Sequence, residues 1–589
     1  MRPGMNRGNF QKKNVKASNI KGTLVRLGQY MQANKWLLAM VSLIVVVSSV
    51  LSVLGPYIMG RTIDLHLEAK NLDGFLRPIG LLALVYIANA FFTWLSSYLV
   101  IGISQQTVKD VRKDLFEHLQ VLPVEFFDKQ KDGDLVSRLT NDVDNISNTL
   151  NQSLVQLISS LVTLVAVFFM MVILDIRLTL VSIFTIPMVI LITKTIAKYT
   201  RRYYKDKSRD LGSLNAFSEE SISGQKITLA YGQEETMVQA FHEKNEAYKQ
   251  SAIKAETLSS IMGPIMNFMN NLVYAVMAFV GGYMVIKDMT SVGVVVIFIS
   301  YSRQFARPIN QIASLYNTIQ GAIAGAERVF EVIDQEGEPE AGDQMDIKGQ
   351  VKIKALDFAY DKDMILRDIS MEAKQGDMVA IVGPTGAGKT TLINLLTRFY
   401  DVKEGAILVD DRSIHELDLN HFRSQLGIVL QDTYLFEGSV MDNIRYGRPG
   451  ASLDQVIQAA KLSNAHKFIH RLPEGYHTLI EGEGLGISQG QRQLIAIARA
   501  ILADPKILIL DEATSSIDTR TEKEIQKGLQ NLMKGRTSFV IAHRLSTIQA
   551  ADTIYVIDKG TIVEAGNHQD LLDQTGVYHD MYTTQFKVS

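Results

Sequence analysis

Apolar residues dominate six stretches in the first half of the chain, near 36–59, 78–104, 154–174, 178–197, 258–286 and 291–311. Each is long enough to cross roughly 30 Å of hydrocarbon as a helix of about 20 residues. The connections at 175–177 and 287–290 are only a few residues long and predict tight outer turns. The connections at 105–152 and 198–257 are charged but keep helical spacing, which predicts spans prolonged into the cytoplasm as paired helices bent at their tips. From about Gly349 the period changes: short β-rich runs punctuated by glycine alternate with helical patterns, the signature of an α/β domain. The predicted fold class is therefore a membrane all-α domain of six helices with long cytoplasmic extensions, followed by an α/β domain.

Charge refines this division. Every charged residue from Met1 to Lys35 is Lys or Arg, so the positive-inside rule sets the N-terminus in the cytoplasm. No small-residue cleavage site follows a short apolar core, so no removable signal peptide is expected. Residues 1–20 read as a basic disordered tail and 24–36 as an amphipathic helix lying in the interface. Residues 21–335 then form the transmembrane domain with this elbow helix and six spans, 336–348 an acidic linker, and 349–589 the second domain. An even number of spans brings that domain back to the cytoplasm, which predicts a multi-pass plasma-membrane protein. The net charge of -2 gives no reason to expect nucleic acid as a partner, and the absence of cysteine excludes disulfides and thiol chemistry.

The chemistry is concentrated in the second domain. Gly383-Pro-Thr385-Gly386-Ala-Gly388-Lys389-Thr390 follows the apolar run 378–382 and opens a helix expected over 391–399. In that setting the glycines let backbone N–H groups wrap phosphates, Lys389 reaches the β- and γ-phosphates, and Thr390 binds magnesium. ATP and Mg2+ are the expected ligands, with Thr391 completing the loop. A second apolar run, 506–510, delivers Asp511 and Glu512 at its end. Asp511 is expected to hold magnesium through water and Glu512 to act as general base on the attacking water; the plainer alternative is that two acids begin a loop.

Taken with the pentapeptide Ile487-Ser488-Gln489-Gly490-Gln491, these motifs closely resemble the ATP-binding cassette family, and the resemblance covers the whole chain as an exporter half-transporter of the type IV fold. It implies a P-loop nucleotide-binding domain in which Tyr360 stacks on adenine, Gln431 senses magnesium and His543 contacts the γ-phosphate. It further implies that Ser488, Gln489, Gly490 and Gln491, with Asp518 crossing the interface, serve the nucleotide of a second subunit. Segments 129–135, around a break at Gly133, and 214–220, in a stretch 214–224 holding a second, acid-tipped break, resemble the coupling helices of such exporters, with an ordinary helical hairpin turn as the alternative. Gln489 stands where the family has glycine, and 480–486 also departs from the usual pattern, yet Lys389, Glu512 and His543 are intact. That combination resembles the catalytic-glutamate-bearing half of heterodimeric bacterial multidrug exporters. The expected partner is a different half-transporter with a standard signature and a degenerate Walker B; a homodimer is the alternative.

The substrate is less legible. Asn267, Asn270, Asn271 and Tyr274 share one helix face, and Ser300, Arg303, Gln304, Arg307 and Gln311 make a second stripe, with a kink expected at Pro308. Polar groups inside spans are expensive and turn toward protein or water, so both stripes are candidates to line a cavity. The alternatives are interhelical hydrogen bonding and, for the arginines, snorkelling to the interface. Met262, Met266, Met269 and Met277 offer a soft surface for varied apolar ligands, or plain packing. The expected activity is ATP-driven export of amphiphilic drugs or other hydrophobic compounds, with lipid or peptide export on the same fold as the alternative and a nucleotide-gated channel as the more distant one.

Overall fold

The computed structural model describes residues 19–32, 34–68, 74–339, 341–360, 363–430, 433–482, 486–511, 518–542 and 544–586. The chain divides into two compact units, Met1–Gln120 with Gly133–Gln335, and Val121–Asp132 with Glu336–Ser589.

The first unit is helical. Helix α1 (Ile20–Gln32) precedes α2 (Lys35–Thr62) and α3 (Leu76–Leu119); α4 (Val124–Lys129) and α5 (Asp132–Ser137) follow, the former in the second unit. Next come α6 (Val143–Leu174), α7 (Ile176–Ser223), α8 (Gln225–Ala230), α9 (Glu234–Ser260), α10 (Met262–Ile286) and α11 (Val292–Ile333). Among the described residues four helical segments are long and apolar enough to cross a membrane: Lys35–His66, Leu76–Leu119, Asp132–Leu174 and Glu234–Ile286. A shorter apolar stretch, Val292–Phe305, opens α11. The predicted spans 178–197 and 291–311 run inside α7 and α11, where several side chains, Arg307 among them, lie outside the described residues.

The outer turns are as short as expected. A single extended residue, Asp175, separates α6 from α7, and its carboxylate caps α7 by accepting from the N–H groups of Arg177 and Leu178. Ser291 caps α11 in the same way. Beside it, Asp64 Oδ1 accepts from Gly293 N at 2.7 Å and Oδ2 from the Ser291 hydroxyl at 2.7 Å. There α2 and α11 meet backbone to backbone: a Cβ on Gly293 would sit 2.1 Å from the Gly60 carbonyl oxygen. Deeper in the unit, Val53, Val167, Met171, Leu178, Met277, Ile297, Phe298 and Tyr301 form a dry core, and Tyr301 donates to the Val53 carbonyl at 2.9 Å. At the far end of α6 and α11, Arg328 makes a two-pronged contact with the buried Asp142. Helix α1 is held there as well. Arg26 pairs with Asp334 and lies over the Phe330 ring, while Tyr30 donates to Asp114.

The first predicted tip break is displaced, and the second falls at the end of the stretch predicted for it. Chain reversal in the first comes at Gln130, in extended conformation, and Gly133 is a residue of α5, not a break. The second break falls at Gly224, the last residue of the predicted stretch 214–224, so 214–220 lie in the last turns of the long helix α7 and the short helix after the break is α8. Around it Ile222, Ile227, Leu229 and Tyr231 are all exposed, Tyr231 at 77%. Helix α11 runs through Pro308 as one element.

The second unit is layered. An antiparallel sheet contains β1 (Val351–Ala359), β2 (Met364–Ala373), β4 (Glu404–Val409) and β5 (Arg412–Ser413), in the order β2-β1-β4-β5. The central sheet contains β3 (Met378–Val382), β6 (Leu426–Val429), β9 (Ile507–Asp511), β10 (Thr537–Ile541), β11 (Thr553–Asp558) and β12 (Thr561–Gly566). Its order is β12-β11-β3-β10-β9-β6, parallel except at β12. A small hairpin joins β7 (Gly438–Ser439) to β8 (Leu479–Ile480). The central strands are apolar on both faces and feed two separate cores with a period of two. Val379, Ile381, Ile507, Ile509, Phe539 and Ile541 face one core, which α12 (Lys389–Leu396) covers with Leu392, Ile393, Leu395 and Leu396. Ala380, Val382, Leu508, Leu510 and Val540 face the other, covered by Leu494, Ile495 and Ile497 of the helix Gln489–Ala503.

Candidate nucleotide site

The loop between β3 and α12 is built by glycine where nothing else fits. Gly383 has φ 152°, and a Cβ there would meet the Ile557 carbonyl oxygen at 2.1 Å; Gly388 caps α12 in the left-handed region at φ 104°. Thr385 and Gly386 lie exposed in the loop, as does Thr390 in the first turn of α12, which has no acid. Lys389 is buried. Its ammonium donates to the carbonyls of Gly383 at 2.8 Å and Pro384 at 3.0 Å. Burial pushes the amine below its usual range, and the nearby Asp511 carboxylate only partly offsets this. A half-desolvated cation beside a helix N-terminus and a ring of backbone donors is suited to phosphate.

Asp511 ends β9 level with Ile541 of β10, and Ile541 is level with Ile381 of β3. The carboxylate and the phosphate loop thus stand at the same, C-terminal edge of the parallel sheet, one strand apart, where ligands bind in open α/β sheets. An acidic oxygen and the Thr390 hydroxyl make the kind of sparse, hard-oxygen donor set that suits Mg2+. Gln431, Glu512 and His543 lie outside the described residues.

Tyr360 follows β1. Its hydroxyl lies 3.3 Å from Thr391 Oγ1, and its ring meets the edges of Phe358 and Tyr400 at 5.0 and 4.9 Å. It is 39% exposed, leaving ring surface for a flat base. Tyr400 was not singled out from the sequence. Its hydroxyl donates to Asp128 of α4 at 2.6 Å, while Glu338 N donates to the Val121 carbonyl at 2.8 Å, so the segment of α4 is tied to the ring that supports Tyr360. A tyrosine at the end of a helical run carried no motif that could have marked it. Arg499 is a second such residue: it donates to the carbonyls of Asn443 and Tyr434 and lies over the rings of Phe436 and Tyr446, fixing the stretch that follows Gln431.

Ser488 caps the helix Gln489–Ala503, its hydroxyl accepting from Gln491 N while Gln491 Oε1 accepts from Ser488 N. The cap leaves the hydroxyl proton for an outside acceptor. Ile487 is buried in the core below, Gly490 is buried, and Gln489 is exposed in the first turn. Asp518 caps the helix Thr519–Met533 through Arg520 N and Thr521 N, bonds that hold its carboxyl below the usual range. The decisive geometry is that α12 and the helix after Ser488 cover opposite faces of the central sheet. At about 10 Å per packed layer they stand roughly 20 Å apart. The phosphate loop and Ser488 of one chain therefore do not converge on one phosphate.

In the helical unit, Arg303 Nε donates to the Tyr274 hydroxyl, and the guanidinium lies 5.0 Å from the ring centre. Asn267 and Asn271 are exposed and Asn270 half-buried on the same face of α10. Ser300 is half-buried on α11. Gln304 departs from this stripe, its Nε2 donating to the Ser52 carbonyl of α2 at 3.3 Å.

Comparison with known proteins agrees with both units. The family model "ABC transporter transmembrane region" matches residues 38–309 and "ABC transporter" matches 366–515. The chain is 46% identical over 581 residues to the ABC transporter ATP-binding protein YfiC of Bacillus subtilis (strain 168), covering 98% of this chain and 96% of the relative. It is 42% identical over 508 residues to the fatty acid ABC transporter ATP-binding/permease protein of Mycobacterium tuberculosis (strain CDC 1551 / Oshkosh), covering 86% and 80%. A bacterial Atm1-family ABC exporter solved with ATP bound matches with a TM-score of 0.76 at 30% identity, over 94% of this chain and 98% of that one. The chain belongs to the ATP-binding cassette transporter family, as a half-transporter carrying one membrane region and one ATP-binding domain.

Proposed function

We propose that the chain exports amphiphilic drugs or other hydrophobic compounds across the plasma membrane, as the hydrolytic half of a heterodimer. The opposite placement of α12 and Ser488 on the central sheet supports a two-subunit exporter, because an ATP held by Lys389 can meet a signature only from a second subunit; Gln489 beside intact Lys389, Glu512 and His543 supports a partner that is a different chain. The exposed apolar tip around α8 supports the same conclusion, since a face of that kind is normally covered by a partner. The basic N-terminal stretch supports a cytoplasmic ATP-binding domain.

In the closed dimer Tyr360 stacks on adenine, and the loop 383–388 with Lys389 and Thr391 holds the phosphates. Thr390, Asp511 and Gln431 would hold Mg2+, which when bound neutralises charge on the β- and γ-phosphates. Glu512 takes a proton from the attacking water, and His543 contacts the γ-phosphate. Ser488 and the helix dipole behind it meet the partner's γ-phosphate, with Asp518 crossing the interface. Gln489 adds a side chain where backbone has to approach phosphate closely. The site that it caps on the partner is therefore slow or non-hydrolytic, while this chain's own site turns over.

A second reading, export of a lipid-like substrate, is favoured by the 42% identical relative named as a fatty acid transporter. The heterodimer is tested by comparing ATP turnover of the chain purified alone with that of the chain purified with a candidate partner; full coupled turnover alone would remove the need for one. Glu512→Gln should trap ATP and abolish transport, and unchanged steady-state turnover would contradict its role.

A further inference from the structure

We infer that Arg303 and Tyr274 form a head-group site, near the middle of the membrane, for amphiphiles that end in a carboxylate or phosphate. This deepens the proposed export function and rests on it. Tyr274 lies twelve residues inside α10 from Ile286, or about 18 Å along the helix. Arg303 lies eleven residues inside α11 from Val292, or about 17 Å along the helix. Both helices thus independently put the pair about half-way through a core roughly 30 Å thick. A guanidinium at that depth is costly and marks a functional site by default. Arg303 is exposed and pairs with no carboxylate among the described residues.

The geometry selects the ligand. Nε is committed to the Tyr274 hydroxyl and the ring sits alongside the guanidinium, which fixes the plane of the group. The two Nη nitrogens remain, each carrying N–H donors that point along the side chain's end, the fork that grips a carboxylate or phosphate through two parallel hydrogen bonds. A cation would be repelled, and a neutral ester would offer only a weak acceptor.

A polar lane leads to the pair. Asn271, Asn270 and Asn267 continue from Tyr274 along one face of α10 toward its Met262 end, and none has a hydrogen-bond partner among the described residues. Amides without partners can hand an anionic head group along this face. The lane ends where the charge is.

The test uses inverted membrane vesicles from cells carrying the full-length chain and whatever second subunit its host supplies. Uptake of chain-labelled hexadecanoate, hexadecyl phosphate, methyl hexadecanoate and hexadecyltrimethylammonium is measured in wild type, Arg303→Ala and Arg303→Lys. Wild type should prefer the anions, and Arg303→Ala should lower the anion-to-cation ratio of half-saturating affinities by about tenfold or more, the scale of a charge-assisted pair. Arg303→Lys should fall between, because it keeps the charge and loses the fork. The better of carboxylate and phosphate identifies the source. An equal ratio in wild type and Arg303→Ala, or no preference for acid over methyl ester in wild type, overturns the site; should the alanine protein fail to accumulate, the acid-to-ester comparison and Arg303→Lys decide it. If wild type exports the cation but neither anion, the exporter reading stands and the head-group site falls. ATP-independent uptake of every compound would sink the exporter reading itself.

Discussion

Tyr400→Phe removes one oxygen and leaves the aromatic cluster in place, which makes it a sharp probe of how α4 is attached to the ATP-binding domain. The hydroxyl donates at 2.6 Å to Asp128, and the ring packs edgewise on Tyr360 at 4.9 Å and 86°. A hydrogen bond to a charged group is worth about 1.5–3 kcal/mol when buried. Asp128 is exposed, so water shares the carboxylate and about 1 kcal/mol is a fairer value. That is roughly a fivefold change in an opening equilibrium. The remaining attachment, through Glu338 N and Val121, is untouched. Hydrogen exchange followed by mass spectrometry should therefore show amides in Val124–Lys129 exchanging about fivefold faster in Tyr400→Phe, while ATP affinity stays within about twofold. Tyr400→Ala should do both, because losing the edge-to-face contact with Tyr360 costs a further 0.5–1.5 kcal/mol or so. Protection of α4 unchanged in Tyr400→Phe would show that the Asp128 bond does not hold this segment against the aromatic cluster around Tyr360.

Two further expectations follow from close geometry and from burial. Gly293→Ala forces a Cβ to within 2.1 Å of the Gly60 oxygen, so α2 and α11 must separate; overpacking of this kind costs about 1–3 kcal/mol and should lower the melting temperature in detergent by several degrees. Gly282→Ala, where an added Cβ meets nothing within 4 Å, should not do so. For Lys389, burial depresses the pKa in the folded, nucleotide-free protein below the 10.5 usual for a lysine amine. Between that depressed value and 10.5 the unfolded chain binds the extra proton, so the cost of burying the charge is full below the window and is relieved as pH rises through it. Bound phosphate needs the charged form, so nucleotide affinity should fall over the same rise in pH. Calorimetric titration and thermal unfolding across alkaline pH should show these opposite slopes, and Lys389→Met should flatten both.

The phosphate loop was legible because its glycines answer local demands: a left-handed cap at Gly388 and a carbonyl pressed against Gly383 leave no other residue type. Strand β3 was found at its full predicted length, and β9 lies one residue later than 506–510, since apolar runs bounded by polar turns define buried strands well. The tips were legible in part. Gly224, which ends α7, closes the stretch 214–224 read from the sequence, whereas in the first tip the extended residue is Gln130 and Gly133 is taken into α5, a choice that no local pattern marks. Tyr400 and Arg499 were invisible because they act through residues distant in sequence. The separation of phosphate loop and signature onto two sheet faces was hidden too, because strands that are apolar on both sides give no sign of which helix covers which face.

The bare apolar tip around Ile222, Ile227, Leu229 and Tyr231 also bears on how the protein is made. A subunit synthesised without its counterpart exposes these side chains to chaperones and proteases, which recognise such surface. On the proposed heterodimer, copies in excess of the counterpart would then be cleared, and assembly itself would set the ratio of the two chains, with no tuning of translation.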